Sequence, residues 1–435
     1  MKTKLNFQTK AIIGGRSVDA MSGKTFETFN PANGKVLAKI ARCEKADADA
    51  AVEAARNAFE NGPWPKMSPA ERKVILQRFA TLIEAHTDEL AELEATEAGK
   101  PISDCIEIDL PETVGTIRWH AEAADKIYDQ LSPSGSGVVS MIVREPIGVV
   151  AAILPWNFPL MMAAWKLGPI LAEGNTAILK PAEQTSMSTI RLAQLGTEAG
   201  IPDGVINVVP GFGEEVGKAL GEHMGIDCVG FTGSTEIGRM FLRYSADSNL
   251  KRVLLECGGK NPLVVMPDAA DLDVVADHAA NSIFWNMGEN CSSNSRVLIH
   301  SSLKDEFIEL LIERARDWVI ADPLDSACRL GPLIEEEHMS KYLRIASNAH
   351  IITDFHMAED KKDSKIGTTK RGNGPAYRDK YARKGVRAVQ CPELAPFVVD
   401  MYAELHNNEE FENVEVIEIL VKQGDQIKEN DPVVT

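Results

Sequence analysis

The sequence predicts a doubly wound α/β fold, in which helices cover both faces of an open parallel sheet. The first indication is the apolar run at 147–154, which is bounded by glycine and proline and is typical of a strand buried on both faces. Similar runs follow at 176–179, 205–209, 228–231, 253–255 and 263–266. Helical stretches separate most of them, at 160–172, 186–199, 213–223 and 235–246. Alternating strands and helices at this spacing favour parallel pairing, with ligands at the carboxyl ends of the strands.

The segments on either side of this core are also predictable. Residues 10–43 show short strands and turns, and 45–61 show helical spacing. Ser68-Pro69-Ala70-Glu71 is a capping box with proline at the first helical position, and it opens a helix that is expected to end near Gly99 and Pro101. Further helices are expected at 112–129, 270–287 and 303–318, with a strand at 296–300.

Composition narrows the class of protein. The chain has 435 residues, 44% of them hydrophobic and 25% charged, which is ordinary for a globular protein. A net charge of −18 argues against nucleic acid as a partner. Seven scattered cysteines without CxxC spacing suit a reducing compartment. No signal peptide or apolar run of membrane-spanning length is evident, so we expect a cytoplasmic protein with no membrane partner.

The pair formed by Cys291 and Glu256 indicates covalent chemistry on a carbonyl group. Cys291 stands in a polar, irregular run after Gly288-Glu289-Asn290, whereas the other six cysteines are expected to be buried and inert. Glu256 precedes Gly258 and could act as a base for the sulfur chemistry. The nine histidines show no ligand spacing and no cysteine pairs with another, so we predict no metal site.

Four further segments follow predicted strands, and each allows two interpretations. Asn157, held between Pro155 and Pro159, could donate to an oxyanion or belong to a structural turn. Lys180 and Glu183 could hold ribose hydroxyls or form a surface ion pair. A glycine-containing turn that includes Gly213 could approach a dinucleotide or simply connect a strand to a helix. Ser234 could face a pyrophosphate or cap the helix that it precedes.

Taken together and in this order, these segments resemble the aldehyde dehydrogenase superfamily over residues 8–348. The segments that carry the resemblance are 155–159, 180–185, 231–238, 256–260 and 288–291. Residues 141–148 and 117–128 look most like the enzymes that oxidise γ-glutamyl-γ-aminobutyraldehyde and related aminoaldehydes. The resemblance implies a Rossmann-like NAD-binding domain at 1–257 and a partial catalytic domain at 258–348.

The family resemblance also assigns roles to individual residues. Cys291 would attack the aldehyde carbon, Asn157 and the Cys291 N–H would hold the oxyanion, and Glu256 would activate water to hydrolyse the thioester. Cofactor contacts would come from Lys180, Glu183, Gly213, Ser234, Trp156 and Phe231. A carboxylate beside the ribose suits free hydroxyls, so NAD is expected rather than NADP. The partner would be a small aldehyde, and members of the family form homo-oligomers.

Two departures from the family pattern stand out. Glu289 occupies a position where the family usually has glutamine, and we expect it to lie outside the chemistry. Beyond residue 348, none of the family's later motifs appears, including the glutamate that holds the nicotinamide ribose.

Residues after 348 resemble other families. Residues 350–388 resemble a piece of adenylosuccinate synthetase, within a basic segment at 349–408 that could also be a solvated linker. Residues 409–435 resemble the opening hairpin of a lipoyl domain, without the lysine that would be modified. We therefore expect a composite chain with apolar surface exposed near 261–300 and poor solubility.

The alternative function is a catalytically inactive remnant that at most binds NAD. Synthetase activity is not expected, because the sequence contains no GTP-binding P-loop.

Overall fold

The computed structural model describes residues 7–335 and the strand Val414–Ile417. The remaining residues of the predicted basic segment and of the lipoyl-like hairpin lie outside the described residues. The described strands are β1 (Ala11–Ile13), β2 (Arg16–Val18), β3 (Thr25–Phe29), β4 (Val36–Ala41), β5 (Gln130–Ser132), β6 (Ser140–Ile142), β7 (Val149–Ile153), β8 (Thr176–Lys180), β9 (Ile206–Val208), β10 (Cys228–Thr232), β11 (Arg252–Glu256), β12 (Pro262–Val265), β13 (Arg296–His300) and β14 (Val414–Ile417).

The helices fall mostly where the sequence predicts them. They are α1 (Lys45–Glu60), α2 (Pro69–Ala85), α3 (Thr87–Ala98), α4 (Ile102–Asp104), α5 (Leu110–Ala123), α6 (Pro159–Ala172), α7 (Met187–Glu198), α8 (Lys218–Glu222), α9 (Thr235–Ala246), α10 (Leu272–Phe284) and α11 (Lys304–Ala315). Short π-helical turns at Cys105–Asp109 and Gly213–Gly217 lead into α5 and α8. Single 3₁₀ turns lie at Trp64–Lys66, Trp285–Gly288 and Ser301–Leu303.

The main sheet has seven strands in the order β11-β10-β7-β8-β9-β1-β2. The strands from β11 to β9 run parallel, and the β1–β2 hairpin extends the sheet through antiparallel pairing of β1 with β9, so that β2 forms the edge. Alternate residues of β7 enter different cores. Val150 and Ala152 belong to one core with α2, α5, α6 and α7, whereas Val149, Ala151 and Ile153 belong to another with α1 and α9. Since successive side chains of a strand point to opposite faces, both faces are covered, as predicted.

The chain divides into two compact units. The first holds residues up to 261 together with 267–294 and 302–335. The described part of the second comprises 262–266, 295–301 and Val414–Ile417. There, β12 pairs parallel with β13, and β13 pairs antiparallel with β14. Val264 and Met266 are half exposed, which agrees with the expected apolar surface in this region. The domain boundaries given above stay predictions.

The single helix expected from Ser68 to Gly99 is wrong, because the structure contains two helices. His86 leaves helical geometry at φ −109°, and its Nδ1 lies 2.8 Å from the Leu82 carbonyl oxygen. Thr87 and Asp88, which are weak helix formers, begin the next helix. The helix expected at 112–129 ends at Ala123, and the β5–β6 hairpin that follows was not predicted. No helix in the described ranges combines the length and apolarity needed to span a membrane.

The capping box at the start of α2 gives a test of local stability. The Ser68 hydroxyl accepts from the Glu71 N–H at 3.3 Å, and the Glu71 carboxylate accepts from the Ser68 N–H at 2.8 Å. Ser68→Ala removes one of these bonds and is expected to lower the free energy of unfolding by about 1 kcal/mol. Urea titration measures the free energy of unfolding, and Ser136→Ala, at an exposed serine, is the matched control. Equal stability of the two variants would contradict the capping role.

Candidate active site

The predicted site residues meet at one edge of the main sheet. Strands β8, β7, β10 and β11 are neighbours and parallel, so their carboxyl ends lie along the same edge. Lys180 is the last residue of β8 and Glu256 the last residue of β11. Asn157 follows β7, and Ser234 follows β10. The topology therefore brings together four side chains that are far apart in sequence.

Asn157 is held through both its side chain and its backbone. Its Nδ2 donates to the Glu289 carbonyl oxygen at 2.7 Å. Its own carbonyl oxygen accepts from Lys100 Nζ at 3.2 Å and from Asn286 Nδ2 at 3.3 Å. An amide nitrogen carries two N–H groups, so one is anchored and the second is left to donate elsewhere. The loop thus presents a fixed amide donor.

The turn before Cys291 adopts an uncommon backbone conformation. Asn286, Met287 and Gly288 have φ values of 54°, 58° and 72°, all in the left-handed region. Asparagine and glycine enter this region readily, whereas methionine does so at a cost. The Glu289 N–H donates to the Asn286 carbonyl oxygen at 2.9 Å and closes the turn. Backbone strain is therefore stored in the turn that leads to Cys291, the predicted nucleophile.

Cys291 is exposed, and a glycine-rich segment lies against its backbone. Its carbonyl oxygen accepts from Asn261 Nδ2 at 3.1 Å. A Cβ placed on Gly259 would stand 2.1 Å from the same carbonyl oxygen, which no side chain could tolerate. The segment after Glu256 is thus packed onto the cysteine turn, and glycine at 259 permits that approach.

Glu256 lies in register with Thr232 of β10 and is exposed. Lys166, from α6, donates to the Thr232 hydroxyl at 2.5 Å. Burial lowers the pKa of Lys166 to about 8, and the Glu256 charge acts in the opposite direction. A lysine that titrates near neutral pH therefore faces the end of β10 and senses the candidate base.

Lys180, Glu183 and Gly213 form one connected group. Lys180 is 4% exposed, and its Nζ lies 3.3 Å from Glu183 Oε1. The same oxygen accepts from the Gly213 N–H at 2.9 Å. Burial lowers the pKa of Lys180, while Glu183 raises it. Lys180 and Glu183 thus form the ion pair of the alternative interpretation, although the lysine is buried rather than on the surface, and contact with ribose hydroxyls stays a prediction.

The remaining predicted cofactor residues occupy different settings. Ser234 caps α9, since its hydroxyl accepts from the Ile237 N–H at 3.2 Å. This is the helix-cap interpretation, and a phosphate contact stays a prediction. Phe231 is buried in the core, with its ring centroid 5.1 Å from that of Phe241. Trp156 is half-buried. Contacts of Phe231 and Trp156 with a cofactor stay predictions.

Glu289 is far more involved than the sequence indicates. It is 3% exposed, and its Oε1 accepts from the Ile334 N–H at 3.1 Å. Its carbonyl oxygen is the acceptor for both Asn157 and Asn286. Burial raises the pKa of Glu289 to about 8, so the side chain is mostly protonated near neutral pH. A neutral glutamic acid has the shape and polarity of the family's glutamine.

Sequence reasoning missed four residues that complete the site: Lys100, Lys166, Asn286 and Glu289. Lys100 follows α3, which is rich in acidic residues, so no apolar pattern marked it, whereas Lys166 lies within the apolar helix α6. A lysine among apolar residues at helical spacing was an available signal. Asn286 and Glu289 belong to a turn with an uncommon backbone conformation, which the local sequence does not predict.

Comparison with known proteins identifies the family. The aldehyde dehydrogenase family model matches residues 18–360, and the chain belongs to this family. Aminoacetaldehyde dehydrogenase of Pseudomonas aeruginosa is 53% identical over 337 residues, covering 78% of this chain and 68% of that protein. The predicted membership and fold class are confirmed.

Solved structures extend the comparison. An indole-3-acetaldehyde dehydrogenase in complex with NAD+ gives a TM-score of 0.77 at 48% identity, covering 78% of this chain and 68% of that one. A γ-glutamyl-γ-aminobutyraldehyde dehydrogenase from Burkholderia cenocepacia gives 0.76 at 46% identity, covering 82% and 69%. The expected likeness to aminoaldehyde enzymes and the expectation of NAD both agree with these relatives.

The second family predicted for the tail also appears. The adenylosuccinate synthetase model matches residues 332–430. It overlaps the aldehyde dehydrogenase match over 332–360 and includes most of the segment that resembles a lipoyl domain. The lipoyl resemblance stays a prediction.

Glu289 makes stability dependent on pH in a predictable direction. Its pKa is about 8 in the folded protein, against 4.5 ordinarily. Between these values the folded protein keeps a proton that the unfolded chain has released. The free energy of unfolding therefore falls as pH rises, by up to about 1.4 kcal/mol per pH unit from this group, until the carboxyl ionises above pH 8.

Glu289→Gln removes this titration, so its stability relative to the natural protein should grow from pH 5 to about pH 8. Denaturant titrations across this range measure the difference, and the exposed Glu53→Gln serves as control. A constant difference between Glu289→Gln and the natural protein would contradict the buried, protonated state.

Proposed function

We propose that this protein oxidises an aldehyde to the carboxylic acid with NAD+, through a thioester on Cys291. The observation that carries the proposal is the meeting of Asn157, Lys180, Ser234 and Glu256 at the carboxyl edge of parallel strands. The contact of Gly259 with the Cys291 carbonyl then connects the Glu256 segment to the nucleophile turn. Membership of the aldehyde dehydrogenase family supports aldehyde oxidation.

The residues at the sheet edge fit a dinucleotide. Lys180 and Glu183 offer an ammonium and a carboxylate, which suit the two hydroxyls of a ribose, and the carboxylate disfavours a 2′-phosphate. The backbone N–H groups that begin the twelve-residue helix α9 suit a phosphate. We assign NAD+ to these residues, and when bound it supplies the hydride acceptor. A relative solved with NAD+ supports the assignment.

The first half of the reaction forms the thioester. The Cys291 thiolate attacks the aldehyde carbon, a C–S bond forms, and the carbonyl π-electrons move to oxygen. The free N–H of Asn157, whose other N–H is anchored on Glu289, donates to this oxyanion. NAD+ held by the sheet-edge residues would accept the former aldehyde hydrogen as hydride when the oxyanion collapses, and the acyl group would stay on Cys291 as the thioester.

The second half releases the acid. Glu256 takes a proton from water, and the water oxygen attacks the thioester carbon. The C–S bond breaks, its electron pair returns to sulfur, and the carboxylic acid leaves. One aldehyde, one water and one NAD+ thus give a carboxylate, NADH and two protons. The Glu256 charge favours the protonated form of Lys166, whose ammonium donates to Thr232 at the end of β10.

Small aminoaldehydes are the proposed substrates. The support comes from two relatives, which by name act on aminoacetaldehyde and on γ-glutamyl-γ-aminobutyraldehyde. The second candidate function is the inactive remnant that binds NAD without turnover. It is favoured by the synthetase match, which begins at residue 332, before the aldehyde dehydrogenase match ends.

Steady-state NADH formation from a short aminoaldehyde tests the function. We expect turnover in the natural protein and none in Cys291→Ser. Glu256→Gln should still form one equivalent of NADH in a rapid-mixing experiment, but its turnover should fall by about 10² to 10⁴, because the base acts in hydrolysis. Folded protein that binds NAD+ and forms no NADH at all would establish the remnant instead.

The contact between Gly259 and Cys291 predicts a difference between two adjacent glycines. Gly259→Ala must displace the Cys291 carbonyl, whereas a Cβ on Gly258 meets nothing within 4 Å. A shift of about 1 Å at the nucleophile can cost on the order of 100-fold in rate. We expect kcat to collapse in Gly259→Ala, with unchanged affinity for NAD+, and to stay within about threefold in Gly258→Ala. Equal activity of the two variants would contradict the packing of 256–261 onto the cysteine turn.

A further inference from the structure

A cluster of buried ionisable side chains lies beneath the Asn157 loop, and family resemblance assigned it no role. It contains Lys100, Asp109 and Glu94, which are at most 1% exposed. Glu94 belongs to α3, Lys100 follows that helix, and Asp109 ends the π-helical turn before α5. Charges this deep are retained only when they are paired or hydrogen-bonded. The contacts of these three side chains therefore indicate their role.

Lys100 is the centre of the cluster and contacts three different groups. Its Nζ forms a close ion pair with the Asp109 carboxylate. The same nitrogen donates to the Asn157 carbonyl oxygen at 3.2 Å and lies 4.0 Å from the centre of the Phe158 ring. An ammonium has three N–H groups and no acceptor. Two of its contacts are thus made with consecutive residues of the active-site loop.

The positive charge of Lys100 is balanced by the negative charge of Asp109. Burial lowers the pKa of Lys100, but Asp109 and Glu94 outweigh it and bring the pKa above its usual value. Burial first, and then the Asp109 charge, raise the pKa of Glu94 to about 8, which leaves this side chain mostly protonated. The ligand atoms of Glu94, Cys105 and Asp109 lie within 4.8 Å of one another, a spacing that could suit a metal ion. Lys100 already supplies the cation there.

The position of the Asn157 peptide depends on this ammonium, because Lys100 is one of two side chains of the described residues that donate to its carbonyl oxygen. The side chain of Asn157 is anchored on the Glu289 carbonyl oxygen, in the cysteine turn whose Asn286 also donates to the Asn157 carbonyl oxygen. The peptide between Asn157 and Phe158 is therefore fixed on one side by the cysteine turn and on the other by Lys100. Release of one side would let the peptide rotate and carry the amide donor away from the oxyanion.

We propose that Lys100 is a positioning residue, which fixes the Asn157 peptide so that the side-chain amide meets the developing oxyanion. The inference rests on the proposed aldehyde oxidation for its kinetic consequence. Its structural consequence, an ordered 155–159 loop, is independent of turnover.

Two variants separate positioning from general stability. Lys100→Met combined with Asp109→Leu replaces the buried pair with apolar side chains, a change that often preserves stability. Asp109→Asn keeps Lys100 and its bond to Asn157, and Glu94 can ionise to balance the ammonium. We expect the double variant to melt close to the natural protein, with kcat reduced roughly 100-fold and unchanged NAD+ affinity. Asp109→Asn should lose melting temperature but keep kcat within about threefold.

Hydrogen–deuterium exchange of the peptide that contains 155–162 gives the second measurement. The double variant should exchange faster there than the natural protein, whereas Asp109→Asn should not. A double variant with natural kcat, or with unchanged exchange in this peptide, would overturn the proposal. If the natural protein forms no NADH, the proposed function fails, and the exchange measurement alone still decides the role of Lys100.

Discussion

The parallel register of β8, β7, β10 and β11 is the constraint on which the site depends. Each strand ends at the same edge, and each contributes the next residues to the site: Lys180, the Asn157 loop, Ser234 and Glu256. A slip of one residue would turn alternate side chains to the other face of the sheet. The two apolar cores that clamp β7 from opposite sides prevent that slip. Chemistry at the edge is thus secured by packing in the interior.

Charged groups beneath the edge form a second layer, and burial governs their behaviour. Glu94, Glu97, Lys100 and Asp109 are withdrawn from water, and burial raises the pKa of Glu97 to about 7. Glu97 accepts from the N–H groups of Met187 and Ser188 at the start of α7, and in that way joins two helices. Such groups specify one arrangement, because any other leaves a charge unpaired in a medium of low polarity.

The sequence predicts the sheet and half of the site. The features that it does not predict depend on contacts that local patterns do not show. Apolar runs and glycine turns located every strand of the parallel core, and the residues after those strands included Lys180, Glu183 and Asn157. Local patterns could not show that Lys180 is buried, that His86 divides a helix, or that 130–142 forms a hairpin. These features depend on contacts between residues far apart in the chain. Glu289 was placed outside the chemistry for the same reason.

The position of Glu289 shows how a departure from a family pattern can preserve its geometry. The buried side chain of Glu289 accepts the Ile334 N–H, its carbonyl oxygen accepts from Asn157, and burial at this position favours an uncharged side chain. Glutamine is uncharged at every pH, whereas glutamic acid is uncharged only while protonated. Burial raises the pKa of Glu289 to about 8, so glutamic acid can replace glutamine here near neutral pH. The amide of Asn157 is therefore anchored on the main chain of a residue whose buried side chain bonds elsewhere, to the Ile334 N–H.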